Sequence, residues 1–411
     1  MVKFSLRLVR NTFLGLALGV LVFAGGYETA QVQLGRSENP IVKRFVGSPA
    51  NTTVTAADFG RFWEVWRRLE TGYVDPTKLD YAKMTWGSMQ GLAQSLDDPY
   101  TQYLPPEENK LANEDLNGAF FGVGIELGYR EGSLAVVAPI AGSPAEKMGV
   151  KAGDLILHIK DEKKQVDLDT MGMTLPTAVT HIRGDRGTGV ILTIYREGVD
   201  KSFEVTITRD EIIVPSVELK FVEKDGKKIA YLELHKFGGR TDKEWTIKVG
   251  EIVAARPVGV ILDLRNNPGG YLDGAVFVAS EFLNSGVVVK QEGRSSSETF
   301  SVDRKGNLTT VPLVVLVNKG SASASEITAG ALQDNKRAKI VGEQSFGKGT
   351  VQEVQDLSDG SSLHVTVAKW ILPSGRWIGK EGITPDVKVE DDPETKDIDE
   401  QLDKAIETIL N

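Results

Sequence analysis

Cysteine is absent from the 411 residues of this chain. That excludes disulfides, thiolate zinc sites and a cysteine nucleophile. Histidine is scarce, with only His158, His181, His235 and His364. A basic excess is missing too. The formal net charge is −9 and no basic stripe stands out, which argues against a nucleic-acid partner. No apolar run is long. The stretch Thr12–Tyr27 has sixteen residues without a charge, short of the roughly 20 that comfortably span a bilayer. Neither an internal repeat nor a low-complexity tract is present.

What the N-terminus does have is a basic start. Lys3, Arg7 and Arg10 precede that apolar run with no acid among them. Residues 1–30 therefore read as an export signal or a short membrane anchor. The small residues Thr29 and Ala30 form only a weak cleavage site, so cleavage and retention both stay open. Residues 31–57 read as a polar linker. A helical region is expected over 58–115. Phe59, Phe62, Trp63, Trp66 and Leu69 recur at helical spacing, and Met89, Leu92, Ala93 and Leu96 repeat the pattern. Asp98-Pro99-Tyr100 and Pro105-Pro106 then interrupt it.

The texture changes at residues 116–209. Short β-rich runs alternate with glycine turns: Gly122–Leu127, Ser133–Ile140, Asp154–Ile159, Gly189–Tyr195 and Phe203–Thr208. Short helices are suggested at Ser143–Met148 and Leu175–Ile182. This is the pattern of a compact small β domain. Over 210–390 strands and helices alternate. Strands are expected at Ile229–Leu234, Val258–Leu264, Pro312–Asn318 and Leu363–Ala368, and helices at Asp242–Ala254, Leu272–Leu283 and Ser325–Gln333. Apolar strands followed by helices argue an α/β core. A final helix within 391–411 carries Ile398, Leu402, Ile406 and Ile409 on one face. The fold class is thus multidomain α/β.

Between the apolar run Pro312–Asn318 and the helix that follows lie three alternating serines, Ser321, Ser323 and Ser325. A strand-to-helix turn exposes free backbone N–H groups and positive potential, which suits a nucleophile and an oxyanion. Ser323-Ala324-Ser325-Glu326 also fits a capping box, S-x-x-E, which would make the serine structural. No histidine stands near these serines in sequence, and no Ser-His-Asp order is evident. A lysine is the alternative base, because burial lowers its pKa toward neutrality and serine–lysine pairs are a variant of the triad. In Ser345-Phe346-Gly347-Lys348-Gly349-Thr350-Val351-Gln352, Lys348 stands between two glycines that allow close backbone approach. The spacing is not that of a P-loop, since glycine follows the lysine.

The block Ser321–Gln352, SASASEITAGALQDNKRAKIVGEQSFGKGTVQ, resembles the active-site block of the carboxyl-terminal processing peptidases, or tail-specific proteases. The resemblance implies that Ser323 is the nucleophile, Lys348 the general base and Gln352 the residue that positions the lysine. Ser321 and Ser325 then take turn and helix-start roles. It further implies oxyanion donors at Ala324 and at Gly269 or Gly270, in the turn Asn266-Asn267-Pro268-Gly269-Gly270. Asp263 and Arg265 would brace that turn. The small β domain resembles PDZ domains in Phe120-Phe121-Gly122-Val123-Gly124-Ile125, Ser143-Pro144-Ala145 and Gly149–Ile156. That resemblance implies binding of a substrate's apolar C-terminal tail at Phe121, Gly122, Val123, Gly124 and Ile125. Arg183 matches a position that senses the tail in some relatives, and also reads as an ordinary surface arginine. The likeness extends over about residues 58–390, from Asp98–Tyr103 to Gly382–Asp386.

The expected protein is therefore an exported serine endopeptidase of the bacterial cell envelope or periplasm, touching the membrane only through its N-terminal segment. Its core is of the tail-specific protease type, with the PDZ-like domain inserted. Protein or peptide substrates are implied, and no metal or organic cofactor. An adaptor and a homo-oligomer stay open. A catalytically silent PDZ scaffold, and an envelope protease without tail specificity, are the rival readings.

Overall fold

The computed structural model describes residues 59–391 and 398–411. The expected export segment 1–30 and linker 31–57 lie outside the described residues. The rest falls into two units that divide after Tyr81. In the first, helix α1 (Phe59–Gly72) carries the expected aromatic face. Phe62 and Trp63 meet edge to face at 5.1 Å, and Trp66 stacks on Tyr81 at 6.2 Å.

The second unit takes in α2 (Tyr81–Gln94) from its second residue, Ala82, and then a short strand β1 (Gln102–Leu104). Helix α3 (Pro106–Asn117) follows, although Pro105-Pro106 reads as a helix breaker. Pro106 occupies the first helical position, where a missing N–H leaves nothing unpaired. Gly118 then ends the helix in the left-handed region.

A two-stranded ribbon, β2 (Ala119–Gly122) with β9 (Asp210–Ile213), joins the small β domain to the core. The domain's sheet runs β3 (Ile125–Arg130), β4 (Ser133–Pro139), β5 (Leu155–Asp161), β7 (Gly189–Tyr195), β8 (Phe203–Thr208), with β6 (Val166–Asp169) paired to β5. Two short helices, α4 (Pro144–Lys147) and α5 (Leu175–Ile182), complete it. The run Gly122–Leu127 is thus not one strand. Gly124 takes φ +76° and separates β2 from β3. The centre is apolar, with Ile156, Ile159, Leu192, Ile194 and Ile207 fully buried. Beneath it the Arg209 guanidinium donates to the Asp161 carboxylate at 2.6 Å, both side chains excluded from water.

The core sheet has the order β10 (Val217–Lys224), β11 (Lys227–Leu234), β12 (Gly259–Asp263), β15 (Leu313–Val317), β16 (Lys339–Gly342), β19 (Val387–Lys388). All its pairs are parallel except β10 with β11. The register aligns Leu232, Leu262, Val315 and Ile340 in one buried row. Alternate residues such as Tyr231, Ile261 and Val314 face the other side. Strands buried on both faces read as continuous apolar runs. Each buried aliphatic side chain contributes about 1.5–3 kcal/mol. Helices α6 (Thr241–Ala255), α7 (Leu272–Phe282) and α8 (Ala324–Asp334) pack on the first face, and α9 (Glu400–Leu410) on the second.

A second sheet contains β1, β18 (Ser362–Ile371), β13 (Val287–Gly293) and β14 (Ser297–Ser301), with β17 (Thr350–Asp356) also paired to β18. The pairing of Tyr103 with Leu363 places a strand from the expected helical region 58–115 inside this sheet.

Candidate active site

Neighbouring parallel strands deliver their carboxyl ends to one edge, and sites form there. The turn after β12 holds Asn266–Gly270, and the turn after β15 holds the three serines. Backbone and side-chain bonds stitch the two turns together. Ala322 N donates to Asn267 O at 3.0 Å and Asn266 N donates to Asn318 Oδ1 at 2.8 Å.

The serines divide sharply. Ser321 Oγ donates to Leu264 O at 2.8 Å and accepts from Asn318 N at 2.9 Å. Ser325 Oγ donates to Asn267 O at 2.9 Å. Both residues are fully buried. Ser323 alone is partly accessible, and its backbone sits at φ 54°, ψ −114°. A non-glycine residue there is strained, and such strain concentrates at functional turns between strand and helix. The Ala324 N–H, at the head of α8, is one of the donors a helix leaves free.

Glu326 performs the reach-back that S-x-x-E suggests, and does more. Its fully buried carboxylate accepts Ser323 N at 2.8 Å, Lys348 N at 2.9 Å, Gly347 N at 2.6 Å and Ser345 Oγ at 2.6 Å. One side chain thereby holds the serine turn against the lysine loop. Capping and catalytic placement are therefore compatible here. Burial pushes the Glu326 carboxyl up, and these four bonds pull it back. The chemistry of the carboxylate at Lys348 follows from the same proximity. Burial pushes the Lys348 amine below its ordinary value, while the Glu326 charge acts in the opposite direction.

The glycines beside Lys348 permit close approach, as expected. A Cβ on Gly349 would lie 2.1 Å from Gly379 N, and Trp377 Nε1 donates to Gly349 O at 2.8 Å. Phe346 N donates to Ser321 O at 3.0 Å, fastening the loop to the serine turn. The amine itself lies 5.2 Å from the centroid of the Tyr100 ring. Gln352, on β17, donates its amide to Thr350 Oγ1 at 2.9 Å and Thr366 Oγ1 at 3.1 Å. Among the described residues Gln352 and Ser323 make no hydrogen bond to Lys348 Nζ.

The two candidate glycines differ in their surroundings. Gly269 takes φ +97°, and a Cβ on it would lie 2.8 Å from both Ser323 Cβ and Ala324 N. Its N–H donates to Asn267 Oδ1 at 2.9 Å. Gly270 faces Phe237, whose carbonyl oxygen would lie 2.0 Å from a Cβ there, and its N–H enters no hydrogen bond among the described residues. Asn267 is fully buried and also donates to Leu234 O at 2.6 Å. It fixes the glycine turn, yet nothing in its sequence setting distinguished it from an ordinary turn asparagine. Arg265, expected to brace that turn, instead bonds Asp263, Tyr231 and the start of α9. It pairs with Asp263 at 2.7 Å and with Asp399, the cap of α9, at 2.8 Å.

No histidine makes a hydrogen bond to Ser323 or Lys348 among the described residues. His158 lies between Asp167 and Asp169 on the small domain. His235 is half-exposed beside Glu218. His364, on β18, bonds Ser362 Oγ at 3.2 Å, and burial and then the Lys348 charge push its imidazole down.

In the small domain the expected tail-binding run spans a junction. Phe121 and Gly122 belong to the ribbon, Val123 is buried, and Gly124 O accepts from Ile140 N and Ser143 Oγ. Ile125 opens β3, which lies at the edge of its sheet. Arg183, the cap of α5, pairs with Glu114 of α3 at 3.2 Å and lies 3.9 Å over the Phe120 ring. It borders a cavity of about 380 Å3 shared with Glu107, Lys110 and Lys164. Among the described residues no group of three His, Asp or Glu is placed to hold a metal ion.

A strained serine at the head of a helix, tied through Glu326 to a loop that carries a half-buried lysine and set beside a glycine turn, is an arrangement suited to serine hydrolase chemistry on an α/β core. Comparison with known proteins narrows the class. The sequence pattern of peptidase family S41 matches residues 228–389. The carboxy-terminal-processing protease of Bartonella bacilliformis is 42% identical over 346 residues, covering 83% of this chain and 77% of that protein. The carboxy-terminal processing protease CtpA of Bacillus subtilis is 37% identical over 333 residues, covering 81% and 69%. The crystal structure of a candidate S41 protease from Bacteroides fragilis shares the fold at 15% identity, with a TM-score of 0.51 over 79% of this chain and 87% of that one. The chain belongs to the carboxy-terminal processing proteases, serine peptidases of family S41.

Proposed function

We propose that this chain is an endopeptidase that cuts proteins through a Ser323–Lys348 dyad after its PDZ-like domain has engaged an apolar C-terminal tail. One observation carries the reading. Ser321 and Ser325 donate their hydroxyl protons to backbone carbonyls, whereas among the described residues Ser323 Oγ donates to none, and the loop tied to the Ser323 backbone N–H through Glu326 carries a half-buried lysine.

Neutral Lys348 takes the proton from Ser323 Oγ as the oxygen attacks the scissile carbonyl. The Ala324 N–H and an N–H of the Gly269–Gly270 turn hold the tetrahedral oxyanion. The protonated amine then gives its proton to the leaving nitrogen, and water releases the acyl-enzyme. Gln352 positions the amine. The open edge of β3 accepts the substrate tail as an added strand, and N–H groups of the Phe121–Ile125 run take its carboxylate. Arg183 stands next to that run and responds to its occupation. The protein is exported to the bacterial envelope, with residues 1–30 as signal or anchor.

The test is cleavage by the full-length chain of a loosely folded protein ending in an apolar tail, with cut sites read by mass spectrometry. Ser323→Ala and Lys348→Ala both abolish cleavage without unfolding. Amidating the tail carboxylate weakens capture but leaves the dyad intact. Cleavage that survives in both variants removes the dyad. An inert wild-type protein that binds tails favours a scaffold. Fractionation of cells that express the chain tests the envelope assignment, and a cytoplasmic pool alone refutes it.

A further inference from the structure

The segment Asp98-Pro99-Tyr100-Thr101 precedes the small β domain by some twenty residues, yet its side chains reach the lysine. Strand β1 begins immediately after it and pairs with β18, Gln102 opposite His364. That pairing sets Tyr100 against the lysine loop, with its ring centroid 5.2 Å from Lys348 Nζ. The turn is held internally. Asp98 Oδ1 accepts from Tyr100 N at 3.1 Å, and Oδ2 accepts from Thr101 Oγ1 at 2.8 Å. Thr101 Oγ1 in turn accepts from Thr366 N at 3.1 Å.

Thr366 links this turn to Gln352. Burial opposes the Asp98 charge, but hydrogen bonds from the Thr366 and Thr101 hydroxyls and from backbone N–H groups hold its carboxyl below the ordinary aspartate range. A carboxylate only accepts, so the Thr101 proton points at Asp98 and leaves Thr101 Oγ1 a lone pair for the Thr366 N–H. Thr366, held at its N–H by this turn, accepts at Oγ1 from Gln352 Nε2 at 3.1 Å. Thr350 Oγ1 takes the other amide proton at 2.9 Å. Both N–H groups of Gln352 are committed, and its carbonyl oxygen is the remaining polar atom. An acceptor is what orients an amine by its hydrogens and leaves the lone pair for a serine proton.

We propose that Tyr100, Asp98 and Thr366 are positioning residues for Lys348: the Tyr100 ring covers the amine, and Asp98, through Thr101 and Thr366, fixes Gln352 with its carbonyl oxygen toward the lysine. This rests on the dyad reading above. The ring has two opposed effects. It attracts an ammonium, worth roughly 0.5–2 kcal/mol at good geometry and weakening toward about 6 Å. It also excludes water from the amine, and burial lowers a lysine pKa by up to about 3–5 units. At this separation exclusion wins. The other charged or titratable groups around the amine are Glu326 on α8, which favours its charge, and His364 on β18, which feels that charge. The Tyr100 hydroxyl is itself pushed up by burial, Glu326 and Asp98, so it stays neutral.

The test is the pH profile of kcat/KM for the full-length chain on the same tailed substrate. Tyr100→Leu moves the acid limb up by about one pH unit, roughly a tenfold loss on the limb that recovers at the alkaline plateau, whereas Tyr100→Phe follows wild type. Tyr100→Met is a second removal of the ring should the first variant fold poorly. Thr366→Val lowers kcat about tenfold at every pH with KM unchanged, and Thr366→Ser restores it. A folded Tyr100→Leu or Tyr100→Met protein with the wild-type limb overturns the covering role. Wild-type kcat in Thr366→Val overturns the relay. Lys348→Ala in the same assay separates the two levels: if it remains active, the dyad itself is wrong; if it is dead while the other variants behave as wild type, only the positioning proposal falls.

Discussion

Replacing Glu326 by glutamine tests how one carboxylate joins two halves of the site. The side chain keeps its size but exchanges one acceptor oxygen for a donor amide. With its amide nitrogen toward Ser323 and Lys348, it orphans two backbone N–H groups. With the nitrogen toward Gly347 and Ser345, it orphans the Gly347 N–H and displaces the Ser345 proton, while that hydroxyl still accepts from Ile383 N at 2.6 Å. The second arrangement is the lesser loss. An orphaned buried N–H and a lost charge-assisted bond together cost about 2–4 kcal/mol. The charge change acts separately. The Glu326 charge favours the protonated lysine, so removing it lowers the Lys348 pKa. On the proposed dyad catalysis needs the neutral amine, so the acid limb of kcat/KM moves to lower pH, even as the plateau falls with the loosened loop. Thermal unfolding reads the first effect, and the pH profile of peptide cleavage reads the second. A limb that stays put or moves up, in a protein destabilised as predicted, would refute the argument that Glu326 is ionised and felt by the base.

Other substitutions separate structure from chemistry. Ser321→Ala removes two buried bonds and lowers stability by about 1–3 kcal/mol, with turnover per folded molecule retained; Ser323→Ala does the reverse, and denaturation paired with cleavage distinguishes them. Gly269→Ala drives a Cβ against Ser323 and Ala324 at a positive φ, so kcat falls about a hundredfold or more, the range for a damaged oxyanion hole, with KM nearly unchanged. Arg265→Met leaves Asp263 and Asp399 facing each other without their cation. It destabilises by about 3–5 kcal/mol, measured by urea unfolding, and loosens α9 first in hydrogen exchange.

The parts of the chain that were legible in sequence are those where one local force dominates. Leu313–Val317 is buried on both faces and reads as an apolar run, and Leu175–Ile182 is bounded by Thr174 and Pro176 at its start. The second sheet was far less legible. Its strands β13, β14 and β17 mix polar and apolar residues, because only part of each faces the core. The Pro106 helix was hidden because proline at a first turn looks like proline that breaks one. At the candidate site, Gly-Lys-Gly and the alternating serines marked two turns that the structure ties together, but spacing could not say which serines are bonded to another strand. That answer needed Leu264 O and Asn267 O, which come from another strand. Gln352 shows the same limit. Its sequence position suggests a partner for Lys348, whereas its amide protons go to threonines on two strands.

The pairing of β1 with β18 has a consequence for the order in which the molecule is made. The Thr366 N–H meets Thr101 Oγ1 across 265 residues. Contacts of such separation form late, because loop closure must precede any gain from them. On the ribosome the small β domain emerges whole before Ser323 exists, and the lysine loop follows the serine turn. The cover over Lys348 has to wait longer still, until β18 is available to receive β1. A chain interrupted between Lys348 and that strand holds both residues of the proposed dyad but not the strand that sets Tyr100 over the amine. The surroundings of the proposed base are therefore completed only when β1 and β18, neighbours in the second sheet but far apart in the chain, have met.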